Sequence, residues 1–448
     1  MDANQIRQLG PRLGQFLAQF RDCFSRSDTR AHLTTYVRGL LADLPRKSVE
    51  PIALHADVPP RTLQQFLSLL DWDQDRLRDQ AQHLIARDHA SRHAVGILDD
   101  TGCPKKGDKT PGVQRQYCGA SGKIDNCVIT VHLAYAADDF HCLLDSDLYL
   151  PQSWDRDRPR CRDAGIPDTV VYRPKWQIAL ELWERARANG VAFAWLTFDE
   201  GYGGKPDFLR RLHRGGQRFV AEVPTTFMGW LRPPRPGRTL RPTRPAGAVA
   251  DLARYRKALR DQPWVPYRVK DGQQGPMVWE VKEARFFAKT EEGDPAWPWR
   301  LVVARNALNP SEAKYFVSNA DAKVSVKQIL LAAFTRWQVE RCFEDEKTEL
   351  GFDHYEGRSY KGLLRHQRLT ALAHLFCGRE RLRLRGEKPG LDGVPGAVGD
   401  ERFGAVVVDG PLCVGSPVGA NGGEDPVRAA AERRVAGQPH EADAAQAA

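Results

Sequence analysis

The 448-residue chain is 42% hydrophobic, which allows a sizeable core and two or three domains, and its formal charge of +9 favours a polyanionic partner such as nucleic acid. Its nine cysteines form no C-x-x-C pair and its histidines show no metal-binding spacing, so neither a disulfide framework nor a zinc cluster is indicated. No run of about 18 apolar residues suggests a membrane span and MDANQIRQLGPRLGQF has no leader-like pattern, so a cytoplasmic protein is expected.

From Gln5 to about His89 the spacing predicts amphipathic helices, with Leu63, Phe66, Leu67 and Leu70 at i, i+3, i+4 and i+7. Within this region SVEPIALHADVPPRTLQQFLSLL reads as two helices around a break at Asp57 to Pro60. That pattern suits a helix-turn-helix and, equally, two packed helices of an ordinary bundle. The texture changes at His93. HAVGILDD is a short apolar strand ending in two carboxylates, CVITVHLAYA alternates at strand period, and FHCLLDSDLYL reads as a third strand. PKWQIALELWERARANG is a helix opened by Pro174 and closed by Gly190. VAFAWLTFDEGYGG is a fourth strand, stopped by Asp199 and a glycine-rich turn. After RFVAEVP, the alternating Pro and Arg of LRPPRPGRTLRPTRPAG forbid a regular element. MVWEVKEARFFAK, RLVVARN and KYFVSNA then predict a β-rich insertion over residues 225–320. VSVKQILLAAFTRWQVERCFEDEKTEL reads as one long helix, and the later part of GFDHYEGRSYKGLLRHQRLTALAHLFC as another. Residues 386–448 are rich in Gly, Pro, Ala and Arg and are expected to be largely disordered.

Asp99, Asp100, Asp199 and Glu340 are the acids this order singles out. In an open α/β sheet, ligands gather at the carboxyl ends of strands, so acids ending neighbouring parallel strands can face one crevice. Carboxylates gathered there need a cation, and an all-oxygen donor set suits Mg²⁺, with Mn²⁺ as a substitute. Two such ions could serve an in-line phosphodiester cleavage. Seven residues of helix turn through about 700°, so Glu340 and Lys347 share a face, with Arg336 and Glu344 close to it. Taken alone, RWQVERCFEDEK is an ion-paired helix face. Lys105, Lys106, Lys109, Arg115 and Lys123 form a basic stretch after the first acid, and Arg358, Lys361, Arg365 and Arg368 follow the Glu340 helix. Beside such a site both groups read as DNA-phosphate contacts. GASGK, residues 119–123, is no phosphate loop, because Tyr117 and Ile124 stand where the Walker pattern needs glycine and a hydroxyl. His132, His374, Trp195 and Trp337 read as core residues.

The sequence resembles bacterial insertion-sequence transposases of the DDE superfamily, in the branch with a Tyr-x2-Arg-x3-Glu-x6-Lys signature. AFTRWQVERCFEDEK supplies Arg336, Glu340 and Lys347, with Ala333 in place of the tyrosine. ILDDTGCPKKG, GVQRQYCGASGKIDN, FDEGYGGKPDFLRRL and DHYEGRSYKG extend the likeness over residues 45–377. The resemblance implies an α/β fold, an RNase H-like mixed sheet flanked by helices. Its parts would be an N-terminal helical DNA-binding region (1–90), a catalytic domain in two segments (91–224 and 321–385) and the β-rich insertion between them. It further implies Asp99, Asp199 and Glu340 as catalytic ligands of two Mg²⁺ ions, with Asp100 a close second to Asp99, and Arg336 and Lys347 as phosphate clamps. The implied partners are double-stranded DNA, as terminal repeats and as target, and a second copy of the chain in a synaptic complex within the bacterial nucleoid. A nuclease without strand transfer and a catalytically inactive DNA-binding regulator stay open as alternatives.

Overall fold

Apolar residues at helical spacing fold the N-terminal region into α1 (Ala3–Ala18), α2 (Ser27–Leu41), α3 (Val49–His55), α4 (Pro60–Ser68) and α5 (Gln74–Asp88). They belong to a computed structural model that describes residues 3–234, 245–272, 275–290 and 295–386. Asp73 caps α5 by accepting from the backbone N–H groups of Asp75 and Arg76. Asp57 turns the chain between α3 and α4 with φ 51°. Leu63, Phe66 and Leu67 of α4 are buried, while Arg61 and Gln64 on its other side stay exposed.

Four strands follow: β1 (Val95–Pro104), β2 (Gln114–Cys118), β3 (Lys123–Ala137) and β4 (Phe140–Leu148). After α6 (Gln152–Asp155), α7 (Arg158–Asp163) and α8 (Lys175–Ala188) come β5 (Trp195–Phe198), α9 (Glu200–Gly203), α10 (Pro206–Arg214) and β6 (Phe219–Glu222). Pro174 precedes α8 and Gly190, with φ 83°, follows it, as expected. β4, β3 and β1 are antiparallel neighbours, and β1, β5 and β6 are parallel neighbours. This mixed sheet, layered with helices, is the RNase H-like arrangement.

The next segment comprises β7 (Met228–Trp230), β8 (Gly247–Ala248), α11 (Val249–Tyr255), α12 (Lys257–Arg260), β9 (Val265–Gly272), β10 (Gly275–Lys289), β11 (Pro295–Asn306) and β12 (Ala313–Ser318). It is β-rich, with two short helices that its sequence pattern did not announce. β12 pairs with β6, so the insertion extends the same sheet to twelve strands. The chain closes with α13 (Val326–Phe334), α14 (Trp337–Thr348) and α15 (Tyr360–Gly386).

Two expectations about these elements need correction. The single long helix is two, because Thr335 Oγ1 donates to the Leu331 carbonyl and the turn tightens to bonds from Gln338 N to Thr335 O and from Val339 N to Arg336 O. The strand of the first acids does not end there: β1 runs on to Pro104 against β3, and only its parallel pairing with β5 stops at Leu98. Arg115 and Lys123 lie in the β2–β3 hairpin, whose turn is formed by the GASG of the rejected phosphate loop. The Pro/Arg stretch at 235–244 and the tail from residue 387 lie outside the described residues. Among the described residues, eight cysteines are free and buried, and no helix is long and apolar enough to cross a membrane.

α15 joins the helical region to the sheet. Arg365, expected on DNA, is instead fully buried and donates to the carbonyls of Phe66, Leu67, Leu70 and Trp72, holding the C-terminal end of α4. Beside it the His366 ring bonds the Tyr36 hydroxyl at 2.8 Å and the Gly351 carbonyl at 2.9 Å. Burial pulls His366 from 6.5 down to about 4, so the fold holds it neutral. A depressed folded value means that its stabilising contribution is present above about pH 6.5 and is lost as pH falls through about 4. The urea midpoint is therefore expected to fall between pH 7 and pH 4.5, and to fall less in His366→Gln. Equal slopes in the two proteins would contradict this assignment.

Candidate active site

Alternation along the strands sorts the side chains to two faces. Val95 and Ile97 of β1, Trp195 of β5 and Val220 of β6 pack with Ile329, Leu330, Val339 and Phe343 of α13 and α14. Leu98, Leu196, Phe198, Phe219 and Ala221 pack on the other face with Leu180 and Trp183 of α8. The parallel register places Leu98 beside Phe198 and Phe198 beside Ala221. One residue beyond the last parallel-paired position of each strand stand Asp99, Asp199 and Glu222, and the charges of all three act on Arg336 at the start of α14.

Each of the three is anchored differently. Asp99 is 3% exposed; its Oδ1 accepts from the Asp100 N–H at 2.8 Å and its Oδ2 from Arg336 Nη1 at 3.2 Å. Asp199 caps α9 by accepting from the Gly201 N–H at 3.0 Å. Glu222 is paired with Lys314 at 2.7 Å. Arg336, at the break between α13 and α14, also lies 3.2 Å from Glu340, which projects from the first turn of α14 with half its side chain exposed. Burial lowers the pKa of Arg336, but the charges of Asp99, Glu340, Asp199 and Glu222 outweigh it and hold the guanidinium above the ordinary arginine value. One cation thus ties the first and third predicted acids together.

Asp100 projects from the opposite face of β1, where Lys175 of α8 pairs with it at 2.9 Å and the Tyr202 hydroxyl donates to it at 3.3 Å. Burial lowers the pKa of Lys175, yet Asp100, Asp199 and Asp99 together raise it. Burial and the same three acids push the Tyr202 phenol well up, which keeps it a donor. Asp99 and Asp100 are therefore separated by the pleat of one strand.

Lys347 shares α14 with Glu340 and donates to Thr101 Oγ1 at 2.6 Å and to the Gly102 carbonyl. Lys105 is half-buried and donates to the carbonyls of Asp353 and Tyr355, which fastens the loop after β1 to the segment before α15. Lys106, Lys109, Arg115, Lys123 and Arg358 are exposed, and Lys361 is half-buried. His132 is a core residue: it bonds Thr130, packs edge-on to Phe343 and Phe352, and is pulled down to about 3, chiefly by burial. Trp195 is buried as expected, whereas Trp337 is 38% exposed at the start of α14. Glu222 and Lys314 escaped the sequence reading, although the strand FVAE ends in an acid just as ILDD and LTFD do.

Residues 19–276 match the family profile described as "DDE superfamily endonuclease", and residues 177–376 match the one described as "Transposase DDE domain". The chain is 28% identical over 327 residues to a protein of Microchaete diplosiphon named "Probable transposase for insertion sequence element IS701", an alignment covering 72% of this chain and 75% of that protein.

The site's floor has one tight steric constraint. A Cβ on Gly203 would stand 1.9 Å from the Glu222 carbonyl oxygen, so α9 can lie against the end of β6 only with glycine there. Gly203→Ala is expected to destabilise the protein by about 1–3 kcal/mol. Gly14→Ala, in an exposed part of α1 where a Cβ meets nothing within 4 Å, is expected to stabilise it by roughly 0.5–1 kcal/mol. Urea denaturation of the two variants checks the contrast.

Proposed function

Because the chain belongs to the DDE superfamily endonucleases and is a DNA transposase of an insertion sequence, we propose that Asp99, Asp199 and Glu340 are its catalytic cluster. The observation that carries this reading is the Arg336 guanidinium, 3.2 Å from Asp99 and 3.2 Å from Glu340, which brings an acid of α14 to an acid of β1. Asp199 joins them through the parallel register.

The donor set fits a hard divalent cation, since it is made of carboxylates whose mutual repulsion is met in this structure by Arg336. Asp99, Asp199 and Glu340 would hold two Mg²⁺ ions, or Mn²⁺ in their place. Bound there, the metal would polarise the scissile phosphate, activate the attacking hydroxyl and stabilise the leaving oxygen. Asp199 is oriented by the Gly201 N–H and Asp99 by the Asp100 N–H, and binding the ions would release Arg336 from Asp99 Oδ2. Asp100, neutralised by Lys175 and Tyr202 on the other face, acts as the lock on β1 and α8, a role that supports Asp99. Arg336 and Lys347 flank the acids and would hold nonbridging phosphate oxygens, the planar guanidinium of Arg336 in bidentate fashion.

Exposed Lys106, Arg115, Lys123 and Arg358 would continue the phosphate track outward. Such contacts set position and carry no sequence information, so the terminal repeats would be read by the N-terminal helices, where α4 leaves Arg61 and Gln64 exposed. Two ends brought together would call for two copies of the chain. The division into residues 1–90 for end recognition, 91–224 with 321–385 for catalysis and 225–320 as an insertion is part of this reading.

Incubating the protein with end-containing DNA, target DNA and Mg²⁺ is expected to give nicked ends joined to target. Asp99→Asn, Asp199→Asn and Glu340→Gln are each expected to lose at least about a hundredfold in cleavage rate while still binding the ends. Asp100→Asn is expected to lose less than Asp99→Asn. Nicks without joining would identify a nuclease, and binding without nicks a regulator. Unaltered cleavage by Glu340→Gln would overturn the assignment.

A further inference from the structure

α14 presents Glu340 to the active site and, on its buried side, carries Cys342, Asp345 and Glu346, none more than 3% exposed. These meet His141 of β4 and His374 of α15, which are also buried. The ligand atoms of His141, Cys342 and His374 all lie within 4.8 Å of one another. Asp345 Oδ1 lies 3.0 Å from Arg341 Nε, but its Oδ2 stands 3.8 Å from His141 Nε2 and 3.9 Å from His374 Nε2. Those separations are too long for hydrogen bonds, and neither His141 Nε2 nor Asp345 Oδ2 has a hydrogen-bond partner. Native interiors rarely leave such atoms unsatisfied.

We propose that His141, Cys342, Asp345 and His374 form a second metal site, structural and suited to Zn²⁺, that ties α14 to β4 and α15. The 3.8 and 3.9 Å from Asp345 Oδ2 to the two imidazoles approach the roughly 3.3–3.7 Å between ligands at about 2.0–2.3 Å around a tetrahedral Zn²⁺, and Cys342 Sγ stands within 4.8 Å of a ring nitrogen of each histidine. Two neutral imidazoles, a thiolate and a carboxylate cancel the ion's two charges, which lets the assembly sit in an apolar interior. Binding requires Cys342 to release its proton to solvent; without the ion, burial holds that thiol protonated. His374 Nδ1 stands 3.3 Å from Glu346 Oε1, and a hydrogen bond closed there would fix the tautomer that leaves Nε2 for the metal. Sulfur and nitrogen donors separate this site chemically from the all-oxygen cluster at Asp99. Its effect is mechanical: the helix that delivers Glu340 would be clamped to the sheet and to α15 near its middle.

The full chain, purified and dialysed against Mg²⁺ without chelator, is expected to retain about one Zn²⁺ per molecule by elemental analysis. Exchange with Co²⁺ is expected to produce a near-ultraviolet sulfur-to-cobalt charge-transfer band, together with the visible absorption of a tetrahedral ion. Cys342→Ser is expected to lose the band, and His141→Gln, which keeps the thiol, to lose at least tenfold in Zn²⁺ affinity by competition with a chromophoric chelator. Wild-type protein with less than a tenth of an equivalent of Zn²⁺ and no cobalt–sulfur band would overturn the proposal, whether or not either variant folds. A band that persists unchanged in Cys342→Ser would overturn it as well.

Discussion

Two parallel strands that lose their pairing at the same residue decide where the acids of this molecule can meet. β1 and β5 run in register from Val95 beside Trp195 to Leu98 beside Phe198, and the next residue on each is an aspartate. Because neighbours in a parallel register point the same way, Asp99 and Asp199 share a face, and a slip of one residue would send one of them to the α8 side. The same register continued to β6 adds Glu222 to the row. Across from β1, the Arg336 guanidinium links Glu340 of α14 to Asp99.

Arg336 stands in the short turn between α13 and α14, where its own and Thr335's backbone angles stay helical. Arg336 then serves as a brace between strand and helix, and as the positive charge that keeps carboxylates of like sign together. Behind α14, β4 and α15 hold the helix from the buried side. α15 in turn grips α4 through Arg365 and α2 through His366, so the N-terminal helices and the sheet share one continuous apolar core.

Much of this was legible in the sequence, for identifiable reasons. Strand periodicity and a terminal acid singled out Asp99 and Asp199, and helix geometry put Arg336, Glu340 and Lys347 near one face, but choosing that face over an ordinary ion-paired helix took the resemblance to the transposase signature. What the sequence could not separate was Asp99 from Asp100, since adjacent acids differ only in the face the pleat gives them. The helix break was hidden because AFTRWQVE has good helical periodicity and the cause, a threonine hydroxyl bonding back to Leu331, is a choice of rotamer. Arg365 looked like a phosphate contact because charge in a sequence reads as surface; four carbonyls gathered from around the end of α4 made it interior. His374 read only as a core residue, and its grouping with His141 and Cys342 was hidden because β4 lies far from α14 and α15 in the chain.

In the proposed cluster Asp99, Asp199 and Glu340 face one shared cation site, and Asp100 does not. Loading the protein with Fe²⁺ in place of Mg²⁺ and adding ascorbate and peroxide generates hydroxyl radicals that cut the backbone beside the bound ion. The account predicts three clusters of cuts, near residues 99, 199 and 340, all suppressed by excess Mg²⁺ and lost in Asp99→Asn but retained in Asp100→Asn. Cuts missing from any one of the three places, or abolished by Asp100→Asn and not by Asp99→Asn, would contradict it.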